Sequence, residues 1–404
     1  MKYGFILPRL RISFLPVIAC LLFPTHLFSQ SPNFDTARFT YAIPAPSGKY
    51  GVGTNIFFVT DLSRFDSSLN KAGRNIVFQI WYPTASGSKE YLKYIPSELR
   101  NAMIKDEYND IDSVTIAGWG TISINASLKK PVASGKKFPV LFFLHGLGMS
   151  RYSYISIIQN LVSEGFMVIS MDSPHSGLVV LPGGQVINTL FDNKPVFKCE
   201  SMAKDVSFVM DWLQKTNDKK ATAIIKSIDL KKAGVLGHSL GGAAALETCR
   251  TDERFSACID LDGDPWGKVE SIGLNKPTLI LLNEPIYPAE RFKEPGSKEK
   301  WDRMGLERKK TWQDIFIKNK DIPAFAIRIH GTNHLTFTDL PFVSLQYYRN
   351  KNAGIIIDRD RGLFVITSYI KAFFDCFILK NNSIDIKALP TNFKETDIYL
   401  TTKQ

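Results

Sequence analysis

Ala233-Gly234-Val235-Leu236-Gly237-His238-Ser239-Leu240-Gly241-Gly242-Ala243-Ala244-Ala245-Leu246-Glu247 is the stretch that decides the fold of this chain of 404 residues. Ala233 to Leu236 read as a short buried strand, and Gly242 to Glu247 as a closely packed helix of small residues. Between them stands Gly237-His238-Ser239-Leu240-Gly241, a G-x-S-x-G sequence. A strand, a sharp turn carrying serine and a small-residue helix together make a nucleophile elbow. Such a turn is strained and needs glycine wherever a Cβ would clash. It lifts the Ser239 hydroxyl above the sheet, beside a helix N-terminus. Taken alone the five residues are a common chance match, and it is the strand and helix around them that give them weight.

On both sides of the elbow, apolar runs alternate with helical periodicity. Asn75 to Pro83 reads as an early strand, antiparallel and near a sheet edge. Phe138 to Leu144 is continuously apolar, as expected of a strand buried on both faces. Tyr152 to Glu164 places Ile157, Ile158, Leu161 and Val162 on one helical face, and Gly165 stops it. Phe166 to Ser170, Ala257 to Leu261, Thr278 to Leu282 and Ala324 to Ile329 read as further strands. A helix starts at Glu200, and another closes the chain from Leu363 to Leu379. Strands alternating with helices predict a mostly parallel sheet covered on both faces, with the active site beyond the strands' C-terminal ends.

A serine hydroxyl attacks only once a base has taken its proton, and histidine, with a pKa near neutrality, is the usual base. Of the six histidines, His26 lies near the N-terminus and His238 inside the elbow, while His145 and His175 follow earlier strands. His330 and His334 remain, in Ile329-His330-Gly331-Thr332-Asn333-His334. His330 ends a strand. His334 lies in the loop beyond, where it reaches over the sheet edge, and is preferred. A carboxylate should hold the imidazole in its working tautomer. Leu261-Asp262-Gly263-Asp264 and Leu282-Asn283-Glu284-Pro285 both offer one, and the second strand end is the more usual place. On the residues alone Asp262 and Glu284 stay open, and a plain turn carboxylate is the alternative for each. The oxyanion of a tetrahedral intermediate needs two backbone N–H donors. Leu240 follows the nucleophile and supplies one; His145-Gly146-Leu147-Gly148 supplies the other, with Leu147 best placed.

The bulk composition sets limits. A hydrophobic content of 44% is ample for a large core, and without a linker or repeat residues 30–404 read as one domain. Residues 1–29 read as a signal peptide: a basic start at Lys2, Arg9 and Arg11, an apolar stretch broken by Pro16 and Pro24, then a polar turn near Ser29. Export, secreted or periplasmic, follows. Val17-Ile18-Ala19-Cys20 offers lipid anchoring at Cys20 as the second choice, because Leu21-Leu22-Phe23 stay apolar. The formal charge of +11 is scattered among acids, which argues against nucleic-acid binding and leaves only unspecific attraction to an anionic lipid surface. No C-x-x-C occurs, so no zinc site is expected. A disulfide among Cys199, Cys249, Cys258 and Cys376 is allowed by an oxidising compartment. No cofactor or protein partner is indicated. Residues 285–321, with Trp301, Leu306 and Trp312, read as a helical flap over the pocket that could touch lipid, or as an insertion packed on the core.

The chain resembles the secreted platelet-activating-factor acetylhydrolase family of α/β-hydrolases. The likeness is carried by Pro139 to Gly148 with Arg151, by Gly237 to Gly242, by Leu261-Asp262 with Lys276 to Glu284, and by Gly331 to Asp339. Trp81-Tyr82-Pro83 also fits, and the likeness spans roughly residues 74 to 380. It implies an α/β-hydrolase fold and a calcium-independent serine esterase that removes short or oxidised sn-2 acyl chains from phospholipids. It also implies Asp262 rather than Glu284 as the acid, His334 as the base, and Leu147 with Leu240 as oxyanion donors. Two departures fall on the pocket wall: Leu240 stands where the family carries an aromatic residue, and Trp266 is displaced in Leu261-Asp262-Gly263-Asp264-Pro265-Trp266. They keep other readings open: an esterase for non-phospholipid esters, of the dienelactone- or polyester-hydrolase kind, or a binding protein that kept the fold.

Overall fold

The computed structural model describes residues 40–66, 71–85, 91–106, 108, 111–188, 195–287, 292–349 and 354–402. The expected signal peptide at 1–29 and Cys20 lie outside the described residues. A ten-stranded sheet organises the chain. Its strands are β1 (Gly51–Asp66), β2 (Lys71–Thr84), β3 (Ser127–Leu128), β4 (Phe138–Leu144), β5 (Met167–Asp172), β6 (Ile228–His238), β7 (Phe255–Leu261), β8 (Thr278–Glu284), β9 (Ala324–His330) and β10 (Thr396–Thr401). Their spatial order is β10-β9-β8-β7-β6-β4-β5-β2-β1-β3. From β9 to β5 all neighbours are parallel. β10 and β2 flank this block antiparallel, and β2 continues into a long hairpin with β1. β2 is therefore an inner strand, and the sheet edge belongs to β1 and β3.

The main covering helices are α1 (Ile155–Ser163), α2 (Pro195–Lys215), α3 (Leu240–Thr251), α4 (Ser297–Lys318) and α5 (Arg359–Phe377). Because side chains alternate along a strand, each parallel strand feeds two cores. Leu141 and Phe143 of β4 join one core with Ile155, Ile158 and Phe373 of α1 and α5. Val140, Phe142 and Leu144 join the other with Met202 and Val206 of α2 and Ala244 of α3. All seven residues of β4 are buried, which is why its sequence is unbroken by polar positions.

In segment 285–321, read as a flap over the pocket or as an insertion packed on the core, the described helix packs on the core along its C-terminal half. That helix, α4, is the crossover between the parallel strands β8 and β9. Trp312, Ile315 and Phe316 are buried in the second core, while Trp301 and Leu306 stay exposed. The sheet face needs an apolar cover at this point, and the C-terminal half of α4 supplies it. A disulfide was only allowed by the sequence, and among the described residues Cys199, Cys249, Cys258 and Cys376 form none. Among the described residues no helix is long and apolar enough to cross a membrane.

Candidate active site

β6 ends at His238, and Ser239 takes φ 55° and ψ −120°, a conformation L-residues hold only under constraint. The constraint is visible. Ser239 N–H donates to Leu261 O at 2.9 Å, and Ser239 O accepts from Gly242 N and Ala243 N at 2.9 and 3.2 Å. Glycine is needed on both sides: a Cβ on Gly237 would lie 2.2 Å from Gly241 O, and one on Gly241 2.2 Å from Leu144 O. Gly242 in turn packs over the carboxylate of buried Asp260, which accepts from Gly263 N at 2.7 Å. Burial pushes the Asp260 carboxyl well above the ordinary range.

Asp262 follows β7 directly, again with positive φ, 56°. Its carboxylate is almost fully buried and surrounded by donors. His334 Nδ1 donates to Oδ2 at 2.7 Å, Asn283 N to Oδ1 at 3.1 Å, and the Asn283 side-chain amide to Oδ2. An Arg308 Nη donates to Oδ1 at 3.3 Å and to Gly263 O at 2.8 Å, and Arg308 pairs with Asp264 at 3.0 Å. Burial alone would raise the Asp262 pKa; the Arg308 charge and the His334 and Asn283 hydrogen bonds outweigh it and hold the carboxyl well below the usual range.

His334 opens a short 3₁₀ turn, His334–Phe337. Asn333 caps that turn, accepting from Leu335 N and Thr336 N, while the Thr336 hydroxyl accepts from Asn333 N. The structure thus brings Asp262 and His334 together. The rejected residues meet each other instead: Glu284 pairs with His330 Nδ1 and, at 3.0 Å, with Arg328. His330 also faces Asp397 at 3.5 Å. Ser239 sits next in chain to His238, whose ring lies 4.5 Å from the His334 ring. Among the described residues the Ser239 hydroxyl makes no hydrogen bond.

The loop after β4 is pinned from several sides. His145 Nδ1–H donates to Gly146 O at 2.8 Å and His145 Nε2 accepts from Ser173 N at 3.0 Å, so this buried imidazole is neutral. Burial also pulls its pKa down. Met149 N donates to Gly146 O at 3.1 Å and Gly148 N to Ser176 O at 2.8 Å. Among the described residues neither Leu147 N–H nor Leu240 N–H is taken up by a protein acceptor. Leu240 N heads α3, where a helix leaves its first amides unpaired. Beside the loop, Tyr94, Tyr108, Trp119, Met149 and Tyr152 line a small cavity. Among the described residues no group of three His, Cys, Asp or Glu side chains could hold a metal ion. Asn283, Arg308 and Tyr154, all placed at this site by the fold, were not singled out by sequence reasoning; nothing in their spacing marks them.

A mostly parallel sheet whose central strand ends in a strained serine, with an acid and a histidine on later strand ends, defines an α/β-hydrolase. Comparison with known proteins narrows the class. The sequence profile described as platelet-activating factor acetylhydrolase, isoform II, matches residues 36–177 and 207–365, and the chlorophyllase profile matches 123–280. A protein of Arthroderma benhamiae described as a probable 1-alkyl-2-acetylglycerophosphocholine esterase is 27% identical over 81% of this chain and 82% of its own length. The platelet-activating factor acetylhydrolase of Cavia porcellus is 23% identical over 75% of this chain and 70% of its own length. Among solved structures, the ferulic acid esterase of Streptomyces cinnamoneus superposes with a TM-score of 0.68 at 25% identity, covering 88% of this chain and 98% of that one. The chain belongs to the platelet-activating factor acetylhydrolase isoform II family, and it is a carboxylic ester hydrolase.

Proposed function

We propose that the protein is an exported, calcium-independent serine esterase that removes short acyl chains from the sn-2 position of phospholipids. The observation that carries this reading is the 2.7 Å contact between His334 Nδ1 and Asp262 beside the strained Ser239. Ser239 Oγ attacks the ester carbonyl while His334 takes its proton, and Asp262 steadies the imidazolium. The oxyanion lies between Leu147 N–H and Leu240 N–H. His334 then protonates the departing alcohol, and water, activated by the same imidazole, releases the acid. The names of the relatives support a phospholipid with a short sn-2 acyl group as substrate. Export rests on residues 1–29, and contact with a lipid surface on exposed side chains such as Trp301 and Leu306. A second reading, an ester with an aromatic acyl group, is favoured by the ferulic acid esterase with which the fold superposes.

A fluorophosphonate probe together with an ester panel tests the proposal. Wild type is labelled, and Ser239→Ala is neither labelled nor active, losing about a thousandfold or more in kcat. Activity on a 2-acetyl phospholipid exceeds that on a long-chain one by about tenfold or more and survives EDTA. Folded wild-type protein that takes no label sinks the serine reading; faster turnover of a feruloyl ester moves the substrate to the second reading.

A further inference from the structure

His238, the variable residue of the G-x-S-x-G motif, is not used by the mechanism above, yet it is almost fully buried at the centre of the site. Its Nε2 lies 2.8 Å from His334 O. A carbonyl only accepts, so Nε2 carries the proton and Nδ1 is left as a lone pair. That lone pair lies 2.9 Å from the Tyr154 hydroxyl, which must donate to it. The Tyr154 oxygen in turn accepts from Gly146 N–H at 2.9 Å. Every proton in this chain is therefore assigned by its partners: Gly146 N–H to Tyr154 O, Tyr154 O–H to His238 Nδ1, and His238 Nε2–H to His334 O. Burial, with His334 beside it, pulls the His238 imidazole down to about 3, and burial lifts the Tyr154 phenol; both stay in the neutral forms the chain requires. The fit leaves no slack at the loop: a Cβ on Gly146 would stand 3.0 Å from His238 Nδ1 and 3.2 Å from the Tyr154 oxygen.

The geometry points to His238 and Tyr154 as positioning residues that lock the loop of the first oxyanion donor, the elbow and the base-bearing loop into one rigid unit. Gly146 precedes Leu147, whose amide is one oxyanion donor. His334 O belongs to the base itself. The bridge fixes the backbone of His334 while Asp262 fixes its ring. A hydrogen-bonded chain of this kind acts cooperatively, and removing any link should cost about as much as removing all of them. The inference rests on the serine-esterase reading.

The test is a double-mutant cycle on an enzyme first shown to label with a fluorophosphonate. Tyr154→Phe deletes one hydroxyl and keeps the packing. His238→Phe deletes both nitrogens. Each single variant is expected to lose about tenfold to a hundredfold in kcat with KM little changed, because oxyanion and base geometry matter in the transition state. Affinity for a trifluoromethyl ketone falls by a similar factor. The double variant loses no more than the worse single one. His238→Asn, which keeps an acceptor near Nδ1, and His238→Gln, which keeps a donor near Nε2, each recover part of the loss, and they serve if His238→Phe fails to fold. Losses that multiply in the double variant, or that fall on KM alone, overturn the bridge while leaving the serine reading intact. A wild type that takes no label overturns the serine reading instead.

Discussion

At Asp262 one carboxylate receives a histidine, an asparagine and an arginine at once. The histidine is expected of any triad; the arginine changes the chemistry. A guanidinium 3.3 Å from Oδ1 keeps the acid ionised far into the acidic range. The sign is clear: removing Arg308 lets the Asp262 pKa climb back towards that of an ordinary carboxylate, so protonation of the acid begins at a higher pH. Arg308→Gln should therefore lose about a further twofold in kcat/KM at pH 4, relative to pH 7, beyond the loss common to both enzymes. Rate profiles from pH 4 to 8 that superimpose after scaling would show that Arg308 does not govern the acid. On the residues alone Asp262 stayed level with Glu284 until the family resemblance chose it; Ser239 and His334 were legible in the sequence because each stands past a strand recognisable by its apolar run. Arg308 was not: it is one cation in a charged stretch, and only the packing of α4 brings it over the turn at Gly263. His238 was visible as a motif position, but its use depends on Tyr154, which stands 84 positions away in the chain.

The elements follow the same division. Parallel strands covered on both faces, such as β4 and β8, show themselves as unbroken apolar runs. β1 and β10 carry exposed positions such as Ile56 and Ile398 and lie at the sheet's margins, so their runs are diluted with polar residues and no apolar block marks them. α4 was recognised as helical, but its amphipathic face cannot say whether it meets a core or a lid. Burial decides. Trp312 is fully buried, and its indole N–H has no hydrogen-bond partner among the described residues. Trp312→Phe keeps most of the packing and removes that orphan donor, so it should cost no more than about 1 kcal/mol, against about 3–5 kcal/mol for Trp312→Ala. Urea unfolding measures both. A cost below about 1 kcal/mol for Trp312→Ala would mean that α4 is not anchored, and would restore the flap.

Across the whole molecule, the base-bearing loop has to be held against the first core, and Asp339 is where this happens. This buried carboxylate accepts from Ile155 N at 2.7 Å, from Ser156 N at 3.0 Å and from the Ser156 hydroxyl at 2.5 Å, while Asp339 N donates to Ser153 O at 2.8 Å. It joins the segment after His334 to the start of α1, 183 or more residues earlier in the chain. Burial outweighs these hydrogen bonds and lifts its pKa from 3.8 to about 6. A raised carboxyl binds protons more tightly in the folded state, so its titration favours folding below about pH 4, and that contribution is lost as pH rises through about 6. Asp339→Asn removes the titration and, by facing amide donors with another amide, also carries a fixed cost at every pH. The readout is therefore the difference in unfolding free energy between wild type and variant, followed from pH 4 to pH 7. It should shrink by on the order of 2–3 kcal/mol, at about 1.4 kcal/mol per unit of pKa shift. A difference that stays flat across this range would place the Asp339 pKa back among ordinary carboxylates and leave the clamp with a purely geometric role.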